Sequence, residues 1–390
     1  MISKVIYFVE SKFNERDFNR FGIKTLEENG FDVEVWEFTP FLHAEHYETI
    51  QVPDPIYYKK HHVFPASDTA AKAILSLNNH VFVICLIPYN FNTFTIYRTL
   101  SKRTIPYCLF SANALPTPSL NRNRNYYLNK IRRITIPKLI SRSFDYFKKY
   151  GIGVRGANIL LAGGEKSVNH GDPLIRNAEI LWIHALDYDL YLKESKNPVQ
   201  IKPKIGVFLD EYLPFHSDYF YAKESPSNKP EKYYPLLCCF FELIEKKYNM
   251  KIVIAAHPRS FYERQPDYFD GRPVIRGNTA ELVRKSEFVM VHSSTAINFA
   301  ILFKKPILFI TTKHYEVSTE GPLLSAMARL LGKEAIHIDQ KPLLFNMEKK
   351  LTIDEEAYKN YKQCYIKKEG TEELFFWQVL ANRLKKWERQ

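Results

Sequence analysis

Residues 251–310 read KIVIAAHPRSFYERQPDYFDGRPVIRGNTAELVRKSEFVMVHSSTAINFAILFKKPILFI. The run Lys251 to Ala256 is short, apolar and rich in β-branched residues, the composition of a parallel strand buried on both faces. His257-Pro258-Arg259 ends it, since proline brings no N–H to a ladder. Asn278-Thr279-Ala280-Glu281-Leu282 has the form of a helix start, with Asn278 or Thr279 as the cap and Glu281 in the first turn. Phe288 to Val291 reads as a second buried strand. It closes in His292-Ser293-Ser294-Thr295, and Ala296 to Phe303 is the helix after it. Lys305-Pro306 separates that helix from a third strand, Ile307 to Ile310. Strands alternating with helices predict an α/β fold built on a parallel sheet.

In such sheets ligands sit just past the carboxyl ends of the strands. The His-Pro-Arg loop and the Ser-Ser-Thr loop therefore point toward one crevice. The second offers hydroxyls and backbone N–H groups before a helix, which suits an anion. His257 and Arg259 suit the same anion from the first loop, with no metal required. Each motif also has a purely structural account: a core histidine in one loop, a helix cap in the other.

His-Pro followed by Ser-Ser or Ser-Thr resembles the paired motifs of bacterial GT-B glycosyltransferases that use CMP-activated sugars. These include sialyl-, polysialyl- and Kdo transferases and enzymes of capsule or lipopolysaccharide synthesis. The resemblance covers roughly the C-terminal half of the chain. It implies two Rossmann-like domains facing a cleft, with a last helix crossing back onto the first. It implies that His257 and Ser293 or Ser294 contact the CMP phosphate or the sugar carboxylate. Pro258, Arg259 and Thr295 lie in the same loops, and Asn278 and Thr279 are expected on the nucleotide side.

Ile205 to Leu209 reads as the first strand of the second domain and runs into Asp210-Glu211-Tyr212. Inverting glycosyl transfer needs a base for the acceptor hydroxyl. In the resembled enzymes an acidic residue does this, so Asp210 or Glu211 is the expected base, beside His257 as a catalytic group. Polysialyltransferases carry Asp/Glu-Asp/Glu-Gly, whereas this chain has Tyr212, so the position of the base stays open between the two. A capping or salt-bridging pair is the structural account of the same residues.

The expected division is 1–197 as an acceptor-binding Rossmann-like domain, 198–371 as the nucleotide-sugar domain and 372–390 as a helix packing back on the first. Residues 2–9, 14–29 and 32–38 form a β-α-β opening without the spaced glycines of a dinucleotide binder. Lys193 to Lys204, polar with two prolines, reads as the linker. Asn121 to Arg142 alternates Arg and Lys with Tyr, Leu and Ile, and suits either an anionic membrane surface or a solvated face.

The 390 residues are 45% hydrophobic and 25% charged, the balance of a folded globular chain. The net charge of +12 favours an anionic partner, and no zinc-finger or RRM signature points to nucleic acid. No apolar run reaches the ~18 residues of a membrane span, and the first residues read as a strand rather than a signal peptide. The five cysteines are odd in number and lack metal-ligand spacing, which fits reduced thiols. A cytoplasmic protein is expected, peripheral at the inner face of the membrane.

The expected activity is inverting transfer of a sialic-acid-like nonulosonic acid or Kdo from CMP to a glycan or glycolipid of the cell surface. No cofactor and no metal are expected, although Asp187-Tyr188-Asp189 has the form of a metal-binding Asp-x-Asp. The alternatives keep the fold. One is a CDP-glycerol or CDP-ribitol phosphotransferase, one a UDP-sugar epimerase or transferase, and one a non-enzymatic basic membrane protein.

Overall fold

The computed structural model describes residues 1–117, 153–198, 204–216, 219, 228–340 and 346–387. The basic segment Asn121 to Arg142 lies outside them. Seven strands come first: β1 (Lys4–Val9), β2 (Asp32–Glu37), β3 (His61–Val63), β4 (Val81–Cys85), β5 (Tyr107–Phe110), β6 (Ile159–Ala162) and β7 (Glu179–Trp182). Six follow: β8 (Ile205–Leu209), β9 (Lys251–Ala256), β10 (Val274–Arg276), β11 (Phe288–Val291), β12 (Ile307–Thr311) and β13 (Ile336–His337). The first set forms one sheet in the order β3-β2-β1-β4-β5-β6-β7, the second another in the order β10-β9-β8-β11-β12-β13.

Every strand pair is parallel. Each sheet starts at its centre, grows outward, then returns to grow on the other side. This is the doubly wound order, and the gap at which it reverses is the switch point. The switch points lie between β1 and β4 and between β8 and β11.

Alternate side chains of a strand leave on opposite faces. In the first sheet Val5, Tyr7, Val33, Phe82 and Ile84 pack on one face, and Ile6, Phe8, Trp36, Val83 and Cys85 on the other. In the second, Val207, Phe208, Ile254, Met290 and Phe309 belong to one continuous core. Both sheets are thus covered on both faces, as parallel sheets require. No helix among the described residues is long and apolar enough to cross a membrane.

The last helix, Phe376–Lys385, buries Phe376, Trp377, Leu380 and Leu384 in the core of the first sheet. The chain thus returns to the domain in which it began. The two Rossmann-like domains facing a cleft, with this crossing, make the GT-B arrangement. The crossing is anchored by Trp377, whose Nε1 donates to the Arg20 carbonyl at 2.7 Å and whose ring meets Tyr7 edge-on at 5.4 Å. His184, fully buried after β7, lies 2.9 Å from the Leu374 carbonyl, and Asp189 accepts the Phe376 N–H at 2.9 Å.

Gly163-Gly164 serves the same crossing. A Cβ on Gly164 would lie 2.3 Å from the Cys364 backbone, so the loop after β6 is a saddle for the returning chain. The stretch expected as a linker begins inside a helix, Asp187–Ser195, whose buried Tyr188 packs into the core of the second sheet.

Gly22 holds a left-handed φ of 57°, and a Cβ there would come within 2.2 Å of Trp377. Gly22→Ala is expected to lose about 2 kcal/mol or more, from overpacking and backbone strain together. Urea unfolding checks this, and an unchanged midpoint would contradict the close packing of the terminal helix.

Candidate active site

The loops expected to converge do so at the carboxyl edge of the second sheet. β8 ends in Asp210 and Glu211, β9 in His257, β11 in Ser293. Asp210 is 3% exposed. One of its oxygens accepts the Tyr212 N–H at 3.0 Å. The other accepts the Tyr262 hydroxyl at 3.0 Å and the His257 N–H at 3.4 Å. Since Tyr262 gives its proton to the carboxylate, Tyr234 donates in turn to Tyr262 at 2.9 Å. Burial pushes the Asp210 carboxyl up to about 6, against these hydrogen bonds. Asp210 thus ties the loops after β8 and β9 together, and its oxygens are taken.

Glu211 points across the switch point. Its Oε1 accepts the Ser293 N–H at 2.6 Å, and its Oε2 lies 3.3 Å from the Ser293 hydroxyl. Ser293 Oγ is 2.7 Å from the hydroxyl of Tyr315, which follows β12. Burial raises the Glu211 carboxyl to about 7, opposed by the two Ser293 contacts and aided by the Asp210 charge. Unlike the buried Asp210, Glu211 keeps part of its surface exposed. A half-ionised carboxyl at neutral pH is what proton transfer asks for.

Tyr212 has a φ of 54°, in the left-handed region that glycine enters freely. It stands at the third position of the acidic motif, where the resembled pattern carries glycine. This left-handed backbone is held by burial of the Tyr212 ring and by a 2.5 Å bond from Gln265 to its hydroxyl.

His257 accepts the Arg259 N–H on Nδ1 at 3.2 Å. Its neutral form therefore carries the proton on Nε2, as a donor. Burial pushes its pKa well down, and His216, whose ring lies 4.8 Å away, Arg259 and Arg16 push it further. The preceding His292 is fully buried. Its Nδ1 donates to the Ile310 carbonyl at 2.7 Å and its Nε2 accepts the Tyr233 hydroxyl at 2.9 Å, a neutral imidazole held down to about 4 by burial.

Ser294 Oγ accepts the Ala296 N–H at 3.2 Å, which starts the turn into Ile297–Leu302. Thr295 is exposed. The N–H groups of Ser294 and Thr295 have no protein acceptor among the described residues. Asn278 and Thr279 stand beyond β10, two strands from β8, where Asn278 caps by position without a side-chain bond.

The first domain supplies the facing wall. Glu10 follows β1 directly, with its carboxyl pushed up by burial and held back by Arg259. Arg16 and Arg20 lie on the next helix, Glu15–Arg20. The domains also touch through Arg276 to Asp54 at 2.8 Å and Arg264 to Gln51 at 3.1 Å. The position of Glu10 and Arg16 after the first strand of a doubly wound domain was the available signal.

Asp187 accepts from Asn298 at 3.1 Å, and with Asp189 holding the terminal helix, that Asp-x-Asp is engaged in joining the domains. No group of three or more His, Cys, Asp or Glu among the described residues is placed to hold a metal. Asn113, just past β5, accepts the Leu186 N–H on its side-chain oxygen at 3.0 Å.

No protein-family model matches the chain, and no curated protein matches it. Solved structures resemble it along its length. UDP-GlcNAc 2-epimerase of Methanocaldococcus jannaschii, in complex with UDP-GlcNAc and UDP, is 14% identical, with 99% of this chain and 100% of that chain covered and a TM-score of 0.45. A putative UDP-N-acetylglucosamine 2-epimerase of Listeria monocytogenes is 13% identical over 99% and 95%, with a TM-score of 0.48. MurG of Acinetobacter baumannii is 8% identical over 99% and 100%, also at 0.48. What the cleft does chemically has to be read from its own residues.

The raised carboxyls fix a pH dependence. Each stabilises the fold fully below its ordinary value, and that contribution is lost as pH rises to about 6 for Asp210 and about 7 for Glu211. Glu211→Gln is therefore expected to melt a few degrees above the native protein at about pH 8 and to lose that advantage in acid. Equal melting temperatures at alkaline pH would contradict the desolvation of the Glu211 carboxyl.

Proposed function

We propose that the protein is an inverting glycosyltransferase that moves a nonulosonic acid or Kdo from its CMP donor to a surface glycan. The observation that carries this is the Glu211 carboxyl, raised to about 7, held against Ser293 at the switch point and one strand from the His257 loop.

In this reading the acceptor hydroxyl oxygen attacks the anomeric carbon as the bond from that carbon to the CMP phosphate oxygen breaks. The hydroxyl proton passes to Glu211. The Ser293 N–H keeps Glu211 in place for this, and Asp210 supports the loop without touching the acceptor. His257 Nε2–H, Arg259 and the amides of Ser294 and Thr295 receive the charge of the departing CMP, so the reaction runs without a metal. Pro258 fixes the His257 loop, and Asn278 and Thr279 lie toward the nucleotide.

The acceptor side belongs to the first domain. An opening of about 310 Å³ past β4, β5 and β6 is lined by Tyr89, Phe110, Ser111, Ser167, Asn169 and Asp172. Its mix of aromatic rings and hydroxyl partners fits a sugar ring. The +12 charge suits work at the inner face of the cytoplasmic membrane, where a lipid-linked acceptor would lie.

The test is binding and turnover in one set of proteins, without added metal. CMP is expected to raise the melting temperature of the native protein more than UMP, UDP, GDP or CDP, and His257→Ala to remove the effect. Glu211→Gln is expected to bind CMP normally and to lose transfer by about 10²-fold or more. The native kcat/KM is expected to rise with pH through about 7. Stabilisation by UDP or GDP instead would move the donor to another nucleotide, and turnover of CDP-glycerol would move the reaction to phosphotransfer. Full activity of Glu211→Gln would remove it as the base.

A further inference from the structure

Arg16 has no task in the reaction as described, yet its position is closely set. It lies on the helix Glu15–Arg20, just past the end of β1 at the switch point of the first domain. That helix is held at both ends, and at its start it is tied toward the second domain. At its start the Glu15 N–H donates to the Asp54 carbonyl at 3.0 Å, and the Asp54 carboxylate takes Arg276 of β10. At its end Arg20 lies 3.9 Å from Asp187, while its carbonyl accepts Trp377. Asn14 caps the first turn through the Asp17 N–H at 3.0 Å. Asp17, 5% exposed, holds the Arg16 guanidinium at 3.4 Å. A third of the Arg16 side chain stays open, 34% by surface, and its charge is felt at His257 beyond the cleft.

We propose that Arg16 joins His257 and Arg259 in one anion site spanning the cleft, and that its ligand is a phosphate or carboxylate of the substrate. This rests on the reading of the His257 loop as anion-binding and extends that site into the first domain. The two guanidinium groups stand on opposite domains and repel each other, and both favour the neutral form of the His257 imidazole, so an anion between them would relieve their repulsion. Burial first, then Arg20, push the Arg16 pKa down to about 10, with Arg259 adding to the effect and Asp17 and Asp187 opposing it.

The acids nearby orient the cations. Asp17 backs Arg16, Asp187 lies beside Arg20, and Glu10 faces Arg259; burial raises both Glu10 and Asp17. A guanidinium is suited to two parallel bonds with a phosphate or a carboxylate, which a lysine ammonium cannot reproduce. One ligand held by both domains also favours the closed arrangement.

Calorimetric titration of the native, Arg16→Gln, Arg16→Lys and Arg264→Gln proteins tests this. The probes are CMP, with a phosphate; N-acetylneuraminate, with a carboxylate; and cytidine, with neither. Arg16→Gln is expected to weaken CMP or N-acetylneuraminate by about tenfold or more and to leave cytidine unchanged. Arg16→Lys is expected to recover part of the loss. Loss on CMP assigns the phosphate, and loss on N-acetylneuraminate assigns the carboxylate. Normal binding of both by Arg16→Gln would overturn the role of Arg16 alone. Arg264→Gln removes an interdomain contact outside the site, and an equal loss there would overturn direct contact by Arg16. Failure of the native protein to bind either anion would overturn both the bridging site and the CMP reading.

Discussion

Glu211 accepts the Ser293 N–H at 2.6 Å across the gap where the second sheet reverses its order. Burying a carboxyl at that point costs free energy unless donors meet it, and two contacts from Ser293 do so only in part. The neighbouring arrangement follows from this need. Asp210, one residue earlier, is fully engaged in bracing the loop after β8 against the loop after β9. Tyr212, one residue later, takes a left-handed backbone so that the chain can turn away at once. Tyr262 donates to Asp210, and Tyr315 stands behind Ser293, its hydroxyl 3.5 Å from Glu211. The strain and the desolvation are concentrated where chemistry would use them.

The first domain matters to this site through the way the chain ends. Trp377 packs over Gly22 and bonds to Arg20, so the helix that returns from the second domain sets the position of the helix carrying Arg16. The buried His184 and the Asp189 carboxylate fix the start of that return. Positions far apart in the chain are thus joined into one cleft wall by packing rather than by any local motif. The polar contacts across the mouth, Arg276 with Asp54 and Arg264 with Gln51, are exposed and screened, and contribute less.

Much of the fold was legible because buried parallel strands announce themselves as unbroken apolar runs. Lys251–Ala256, Phe288–Val291 and Ile205–Leu209 could be placed that way, and so could the loops that follow them. The order of the strands then brought His257, Asp210, Glu211 and Ser293 to one edge. What could not be read was the division of labour among them. Asp210 and Glu211 are chemically alike, and only their partners separate a brace from a titrating group near 7. Ser293, read as an anion ligand, spends its N–H on Glu211. Asp187 and Asp189 looked like a metal motif and join the domains instead, because such a short pattern says nothing of what packs against it. Arg16 carried no motif at all; its place depends on how two domains meet.

The central claim is that one cleft, bounded by the two switch points, holds the nucleotide beside Glu211. A crystal structure of the protein grown with CMP tests it most directly. The account predicts the phosphate at the His257 and Ser294 loops, within reach of Arg16, and leaves Glu211 facing open space for an acceptor. CMP bound elsewhere, in the opening past β4 to β6 or on the outer surface, would contradict it.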